Sequence, residues 1–214
     1  MFQKQIRIPW LYFTLLGALF ITIMNYHFFG QIYQQLDSDS SFMLKASFFI
    51  IYFGLLTSIF ALVFVPYLTK VLILFLLWIV CLTAYFMSAY GVVIDKDMFV
   101  NVLRTDTTEA FSLLSPSLLL FVALLGVLPT LLILKVRIVY FMGSWKKTLV
   151  VRIATFLLSL IMAGSLFYAY SQTIIPFFRN HRFLRAYETP VHQIYSVIKY
   201  IKQEVLPARP QMQP

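Results

Sequence analysis

Charge-free runs of membrane-spanning length alternate along this chain with short polar stretches. A helix that crosses the hydrocarbon layer needs about 20 mostly apolar residues, each rising about 1.5 Å. Such runs extend from about Pro9 to Phe29, Phe48 to Leu68, Val71 to Tyr90, Ser117 to Leu134 and Leu149 to Tyr170. Lys70 separates the second from the third, and Arg152, near the start of the fifth, is placed to snorkel to the headgroups. Pro66, Gly126 and Pro129 lie near or within spans, where neighbouring helices can re-satisfy a kinked backbone. Lys4 and Arg7 precede the first run as in a signal peptide. That run is too long for an h-region and lacks an A-x-A-like site, so it reads as an uncleaved anchor.

Three stretches fall between or after the spans: residues from about Gly30 to Lys45, Gly91 to Pro116, and Ser171 onward. The first reads as a polar loop, with Asp39, Ser40 or Ser41 as caps for the next helix. The second predicts an amphipathic helix from about Asp95 to Leu114, with Asp95 or Asp97 near its positive end. Asn101, Thr105 and Glu109 recur at i, i+4, i+8 and fall within a sector of about 80°, opposite Phe99, Val102, Leu103 and Ala110. Such a stripe suits an ammonium on Glu109 and phosphate or glycerol oxygens on Asn101 and Thr105; it equally suits a solvated face on an interfacial helix. The third stretch contains an amphipathic run around Val191–Glu204 and ends in a proline-rich, linker-like segment, 207–214.

Composition agrees with the spans. The chain is 61% hydrophobic and 12% charged, far from a soluble domain of its 214 residues. The net charge of +9 acquires a location under the positive-inside rule. With the N-terminus in the cytoplasm, the cytoplasmic segments hold Lys4, Arg7, Lys70, Lys135, Arg137, Lys146, Lys147 and Arg152, and all eight acids fall on the other side. The exterior tail also carries Arg179, Arg182, Arg185, Lys199, Lys202 and Arg209, a departure that long exported segments are allowed. Basic charge distributed in this way speaks for lipid headgroups and against nucleic acid. Tyrosines and tryptophans such as Trp10, Tyr67, Tyr90, Trp145 and Tyr168 gather at the expected interfaces.

Little else carries chemistry. Cys81 is the only cysteine, which excludes an intrachain disulfide. His27, His181 and His192 have no i, i+4 partner, and no glycine-rich phosphate loop is present. Charge-free span centres count against a proton-coupled transporter.

One resemblance changes the picture. Ala89-Tyr90-Gly91-Val92-Val93-Ile94-Asp95-Lys96-Asp97-Met98, followed by Asn101-Val102-Leu103-Arg104-Thr105-Asp106-Thr107-Thr108-Glu109-Ala110, closely resembles lipid A phosphoethanolamine transferases, a family that includes the mobile colistin-resistance enzymes. Asn25-Tyr26-His27-Phe28-Phe29, Gly126-Val127-Leu128-Pro129, Phe177-Phe178-Arg179-Asn180-His181 and Ile194-Tyr195-Ser196 match further family stretches in the same order. Thr173-Ile174-Ile175-Pro176 departs from the tyrosine-alanine-serine usual before the Phe-Arg-Asn motif.

The resemblance implies an all-α integral membrane fold of five transmembrane helices with periplasmic interfacial helices. It places a five-span membrane domain at 1–170, with an interfacial helix at about 95–114, a periplasmic bridging segment at 171–206 and the start of a linker at 207–214. It implies an inner membrane of a Gram-negative bacterium, N-terminus cytoplasmic and C-terminus periplasmic. Family members continue into a periplasmic domain of the alkaline phosphatase superfamily that carries a threonine nucleophile, zinc and disulfides. This chain corresponds to about half of such an enzyme, so no catalytic residue, metal ligand or cofactor is expected in it. The partners implied are phosphatidylethanolamine as donor, lipid A as acceptor and the missing catalytic domain. Asn101, Thr105 and Glu109 match family positions implicated in substrate binding. A stand-alone lipid-binding or assembly subunit, or a small transporter, are the other readings of the same residues.

Overall fold

A computed structural model describes residues 6–37, 40–104, 115–140 and 143–205, most of them helical. The chain opens with a strand, β1 (Arg7–Pro9), followed by helices α1 (Trp10–Met24), α2 (Tyr26–Gln35), α3 (Phe42–Val63), α4 (Leu68–Tyr90) and α5 (Lys96–Arg104). α6 (Pro116–Val122) runs through a π-turn (Ala123–Val127) into α7 (Leu128–Lys135), and β2 (Arg137–Val139) follows. α8 (Trp145–Ala169), α9 (Ser171–Asn180), a 3-10 turn (Arg182–Tyr187), α10 (Val191–Tyr200) and a second π-turn (Ile201–Val205) complete it.

Local chemistry sets several boundaries. The Ser41 hydroxyl accepts from Met43 N–H and caps α3, one of the caps expected. Gly91, at φ +65°, closes α4 in the left-handed conformation that costs glycine least. Ser115 accepts from Leu118 N–H, and Pro116 occupies the first turn of α6, where its missing donor goes unnoticed. The π-turn falls immediately before Pro129, inside the fourth apolar run. Gly126 in that turn lies against α4, where an added Cβ would sit 3.4 Å from the Trp78 ring and from Cys81 Sγ.

α3, α4, the α6–α7 pair and α8 are each long and apolar enough to cross a membrane. The first apolar run differs from its expectation. α1 and α2 pass the same test only together, bent by 54° at Asn25, as a broken span or a re-entrant turn. The loop expected over residues 30–45 is also shorter, because α2 continues to Gln35. The spans pack in the order α8–α3–α1–α4–α6/α7. Half of the apolar window of α3 is buried, but only 11% of that of α8 and of α6–α7, so the outer helices turn leucines and isoleucines such as Leu120, Leu158 and Ile161 outward. An apolar shell of this kind is stable against acyl chains and unstable against water.

The strands are an addition that the apolar pattern does not contain. β1 and β2 pair in parallel, Arg7 opposite Arg137 and Ile8 opposite Ile138. At this strand end of the bundle, Phe64 O accepts from Trp10 Nε1 (2.9 Å) and from an Arg152 terminal nitrogen (2.7 Å), and the guanidinium lies 4.8 Å from the Trp10 ring centre. The Arg152 charge is thereby held against a helix-terminal carbonyl and an aromatic face. Lys70 Nζ donates to Leu134 O at the end of α7 (3.1 Å).

Candidate functional site

The polar side chains concentrate at the opposite end. Asn25, 2% exposed, interrupts the apolar run between α1 and α2. Its Nδ2 donates to Ile21 O (2.9 Å) and to Thr189 O (2.7 Å), while its Oδ1 accepts from Thr189 N (2.8 Å) and Thr189 Oγ1 (2.9 Å). Tyr52 of α3 donates its hydroxyl to Thr189 O (2.7 Å). One residue between the 3-10 turn and α10 is thus bonded to two transmembrane elements, and Phe28 and Phe29 pack their rings on Tyr52 beside it. Burial raises the carboxyl of neighbouring Glu188 above the usual range for a glutamate.

A second polar cluster joins α2 to α4. The Ser88 hydroxyl donates to Ala84 O (2.7 Å), which uses its single proton. His27 Nε2, 2.7 Å from Ser88 Oγ, and the hydroxyl of Tyr26 are therefore the donors to that oxygen. His27 thus takes part in tying the two helices together. One turn earlier on α4, Tyr85 bonds to Ser115 (2.7 Å) and Ser117 (3.1 Å) at the start of α6.

α5 lies at this end too. Asp95 Oδ1 accepts from Met98 N–H (2.9 Å) at its start, and Asp97 stands in its first turn, as expected for a negative charge at a helix N-terminus. α5 packs against α10, and Lys96 Nζ donates to Gln203 Oε1 (2.7 Å) in the turn beyond it. On α10, burial and the Lys199 charge depress the His192 pKa, while the nearby negative Asp95 opposes them. Gln193, 7% exposed, has no hydrogen-bond partner at either end of its amide among the described residues, and His192 Nε2 has none there either. Unsatisfied groups of this kind are rare in folded proteins and commonly meet a water or a ligand.

Of the expected binding residues, Asn101 is exposed on α5. Thr105 and Glu109, with the rest of the helix expected to about residue 114, lie outside the described residues. Asn25, Thr189 and Tyr52 were not singled out by periodicity. Only the Asn25-Tyr26-His27-Phe28-Phe29 motif marked their neighbourhood. Among the described residues no group of three His, Cys, Asp or Glu converges, so these residues present no zinc-type ligand set. A cavity of about 530 Å³ between α1, α4 and α7 is lined by side chains such as Phe13, Ile73 and Leu132 and offers no reactive group.

Comparison with known proteins gives this geometry a context. The sequence pattern of the family described as phosphoethanolamine transferase EptA/EptB matches residues 52–205. Phosphatidylethanolamine transferase Mcr-1 of Escherichia coli is 37% identical over 133 residues, covering 62% of this chain and 24% of its own. Phosphoethanolamine transferase EptA of Escherichia coli K12 is 26% identical over 198 residues, covering 90% of this chain and 36% of its own. The solved structure of the integral membrane protein lipooligosaccharide phosphoethanolamine transferase A (EptA) from Neisseria meningitidis matches with a TM-score of 0.79 at 24% identity. That match covers 88% of this chain and 35% of that one and supports the fold. The chain thus spans about a third of the length of the EptA relatives, less than the half that the resemblance suggested.

Proposed function

The chain belongs to the phosphoethanolamine transferase EptA/EptB family and corresponds to its membrane region, and on that premise we propose that it holds a phosphatidylethanolamine donor for transfer to lipid A. In this reading the protein sits in the inner membrane of a Gram-negative bacterium with five spans, α1 and α2 together forming the first. The N-terminus is cytoplasmic, and α5, α9 and α10 lie at the periplasmic surface. A periplasmic catalytic domain, expected to carry the threonine nucleophile and zinc, completes the enzyme. The membrane region anchors that domain and presents the donor headgroup to it.

The observation that carries the donor role is the seating of α5 on α10, which supports Asn101 in an exposed position at the far end of the bundle. If the helical phase of α5 continues, Thr105 and Glu109 follow Asn101 along one stripe. The Glu109 carboxylate then pairs with the ammonium of the headgroup, while the Asn101 amide and the Thr105 hydroxyl donate to phosphate or glycerol oxygens. These groups bind and orient; the nucleophile belongs to the catalytic domain, and the membrane region alone transfers nothing.

The test is Glu109→Ala in the chain joined to a catalytic domain, with lipid A modification read by mass spectrometry. Loss of one charge-assisted contact is expected to lower modification about tenfold or more at unchanged membrane level. Unchanged modification would return the stripe to a solvated face.

A further inference from the structure

The end of α8, α9 and the 3-10 turn line an open, groove-like cavity of about 510 Å³ whose wall divides into two chemistries. Phe167, Ile174, Ile175 and Phe178 form an apolar side, and Arg179, Arg182 and Arg185 form the other. Spacing explains the convergence. Ile175, Phe178 and Arg179 recur at i, i+3 and i+4 on α9, the positions of one helical face. The 3-10 turn that begins at Arg182 repeats every three residues, which stacks Arg185 over it.

Among the described residues, no carboxylate lines this cavity. Three like charges around one space repel, and an anion placed between them relieves that repulsion. The apolar side is poorly matched to a small hydrated anion alone. Ile175 is 53% exposed and Phe167, on the membrane-spanning α8, is 42% exposed, so this side opens onto the surface that α8 turns to acyl chains.

We propose that the cavity binds a lipid bearing a phosphate monoester, its phosphate on Arg179, Arg182 and Arg185 and its hydrocarbon against Phe167, Ile175 and Phe178. Guanidinium forks take phosphate oxygens in pairs. A zwitterionic headgroup brings its own cation into the arginine cluster and is disfavoured there. The inference rests on the transferase reading in one respect: within it, the cavity is the membrane region's seat for the phosphorylated acceptor, apart from the donor stripe on α5.

The probes are dioleoyl phosphatidic acid, dioleoyl phosphatidylcholine and inorganic phosphate, titrated into the purified chain in neutral detergent and followed by native mass spectrometry. Phosphatidic acid is expected to bind at least about tenfold more tightly than phosphatidylcholine. Each near-surface basic residue raises the affinity for an anionic lipid about fivefold. The double variant R179Q/R182Q is therefore expected to lose at least about tenfold in affinity. K146Q/K147Q, which removes two exposed cations from the beginning of α8, is expected to lose none. Arg185→Gln repeats the measurement with one charge removed, should the double variant fail to fold. Unchanged affinity in whichever arginine variant folds, or equal loss in K146Q/K147Q, would overturn the site. Inorganic phosphate that displaces phosphatidic acid at equal concentration would overturn the lipid assignment. Phosphatidylethanolamine binding to Glu109→Ala, scored separately, isolates failure of the donor reading from failure of this one.

Discussion

Replacing Gly54 with leucine is expected to lower the thermal midpoint in detergent by about 10 °C, while the same change at Gly164 leaves it in place. α3 and α8 form the most extensive helix pair of the bundle. Their contact is built from small residues four apart, Gly54 and Ser58 on one helix facing Ser159 and Ala163 on the other. A Cβ added at Gly54 would lie 3.0 Å from Ser159 O, 3.1 Å from Ala163 Cβ and 3.2 Å from Met162 Cε. The methionine end can swing aside, but the backbone carbonyl cannot, so a larger side chain separates the helices. In a bilayer, apolar burial between helices brings little because lipid tails are equally apolar, and close backbone approach supplies the attraction. Overpacking here is expected to cost about 3 kcal/mol. The hydroxyl pair Ser58–Ser159 spans the same contact at 2.9 Å, and bonds of this type contribute only about 0.6 kcal/mol, so Ser58→Ala is the mild member of the series. Gly164 has no atom within 4 Å of an added Cβ and controls for the change in helix propensity. Equal shifts in both variants would show that this contact does not hold the bundle together.

The contrast between Gly54 and Gly164 also marks what sequence alone makes legible. Both glycines stand in uninterrupted apolar runs, and the runs announce helices without saying which face meets another helix. All-round apolarity erases the periodicity that orients a helix in a soluble protein. The spans and the Ser41 cap were readable because each depends on residues close in sequence. The bend at Asn25 was not, because the asparagine there is bonded to Thr189, 164 positions along the chain. The strands escaped for the same reason: Arg7–Pro9 acquires its conformation from a partner beyond the fourth span. The candidate site was legible to the extent that Asn101, Thr105 and Glu109 recur at helical spacing in the sequence. The support of that helix by α10 is tertiary and left no local mark. The three arginines of the α9 cavity were visible as an excess of positive charge on the C-terminal tail. Their spacing becomes meaningful only once Phe167 and Ile175 are seen beside them.

The connection between the spans and that outer layer predicts a different kind of failure from the one at Gly54. Asn25→Ala is expected to leave the α3–α8 pair intact and to loosen the segment from Arg182 to Tyr200. The substitution removes the acceptor of Thr189 N–H and Thr189 Oγ1 and one of the two donors to Thr189 O, in a site closed to water. Donors left unsatisfied in such a place cost about 3 kcal/mol together. Thr189 O keeps its bond from Tyr52, so Tyr52→Phe, which leaves the asparagine in place, is expected to cost only about 1 kcal/mol. Asn25→Asp is no rescue, because it turns a carboxylate oxygen toward Ile21 O and Thr189 O, where the amide had donated. Hydrogen exchange distinguishes this local loss from general destabilisation. Amides of the 3-10 turn and α10 are expected to exchange roughly a hundredfold faster in Asn25→Ala, and those in the middle of α3 at the parent rate. Because α5 rests on α10, the loosening reaches the stripe that begins at Asn101 without touching any of its residues. On the proposed function, and with the chain joined to a catalytic domain, lipid A modification is therefore expected to fall in Asn25→Ala and to hold in Tyr52→Phe. Uniformly faster exchange across α3 and α8, or unchanged exchange in α10, would refute a lock that acts between the bundle and its outer layer.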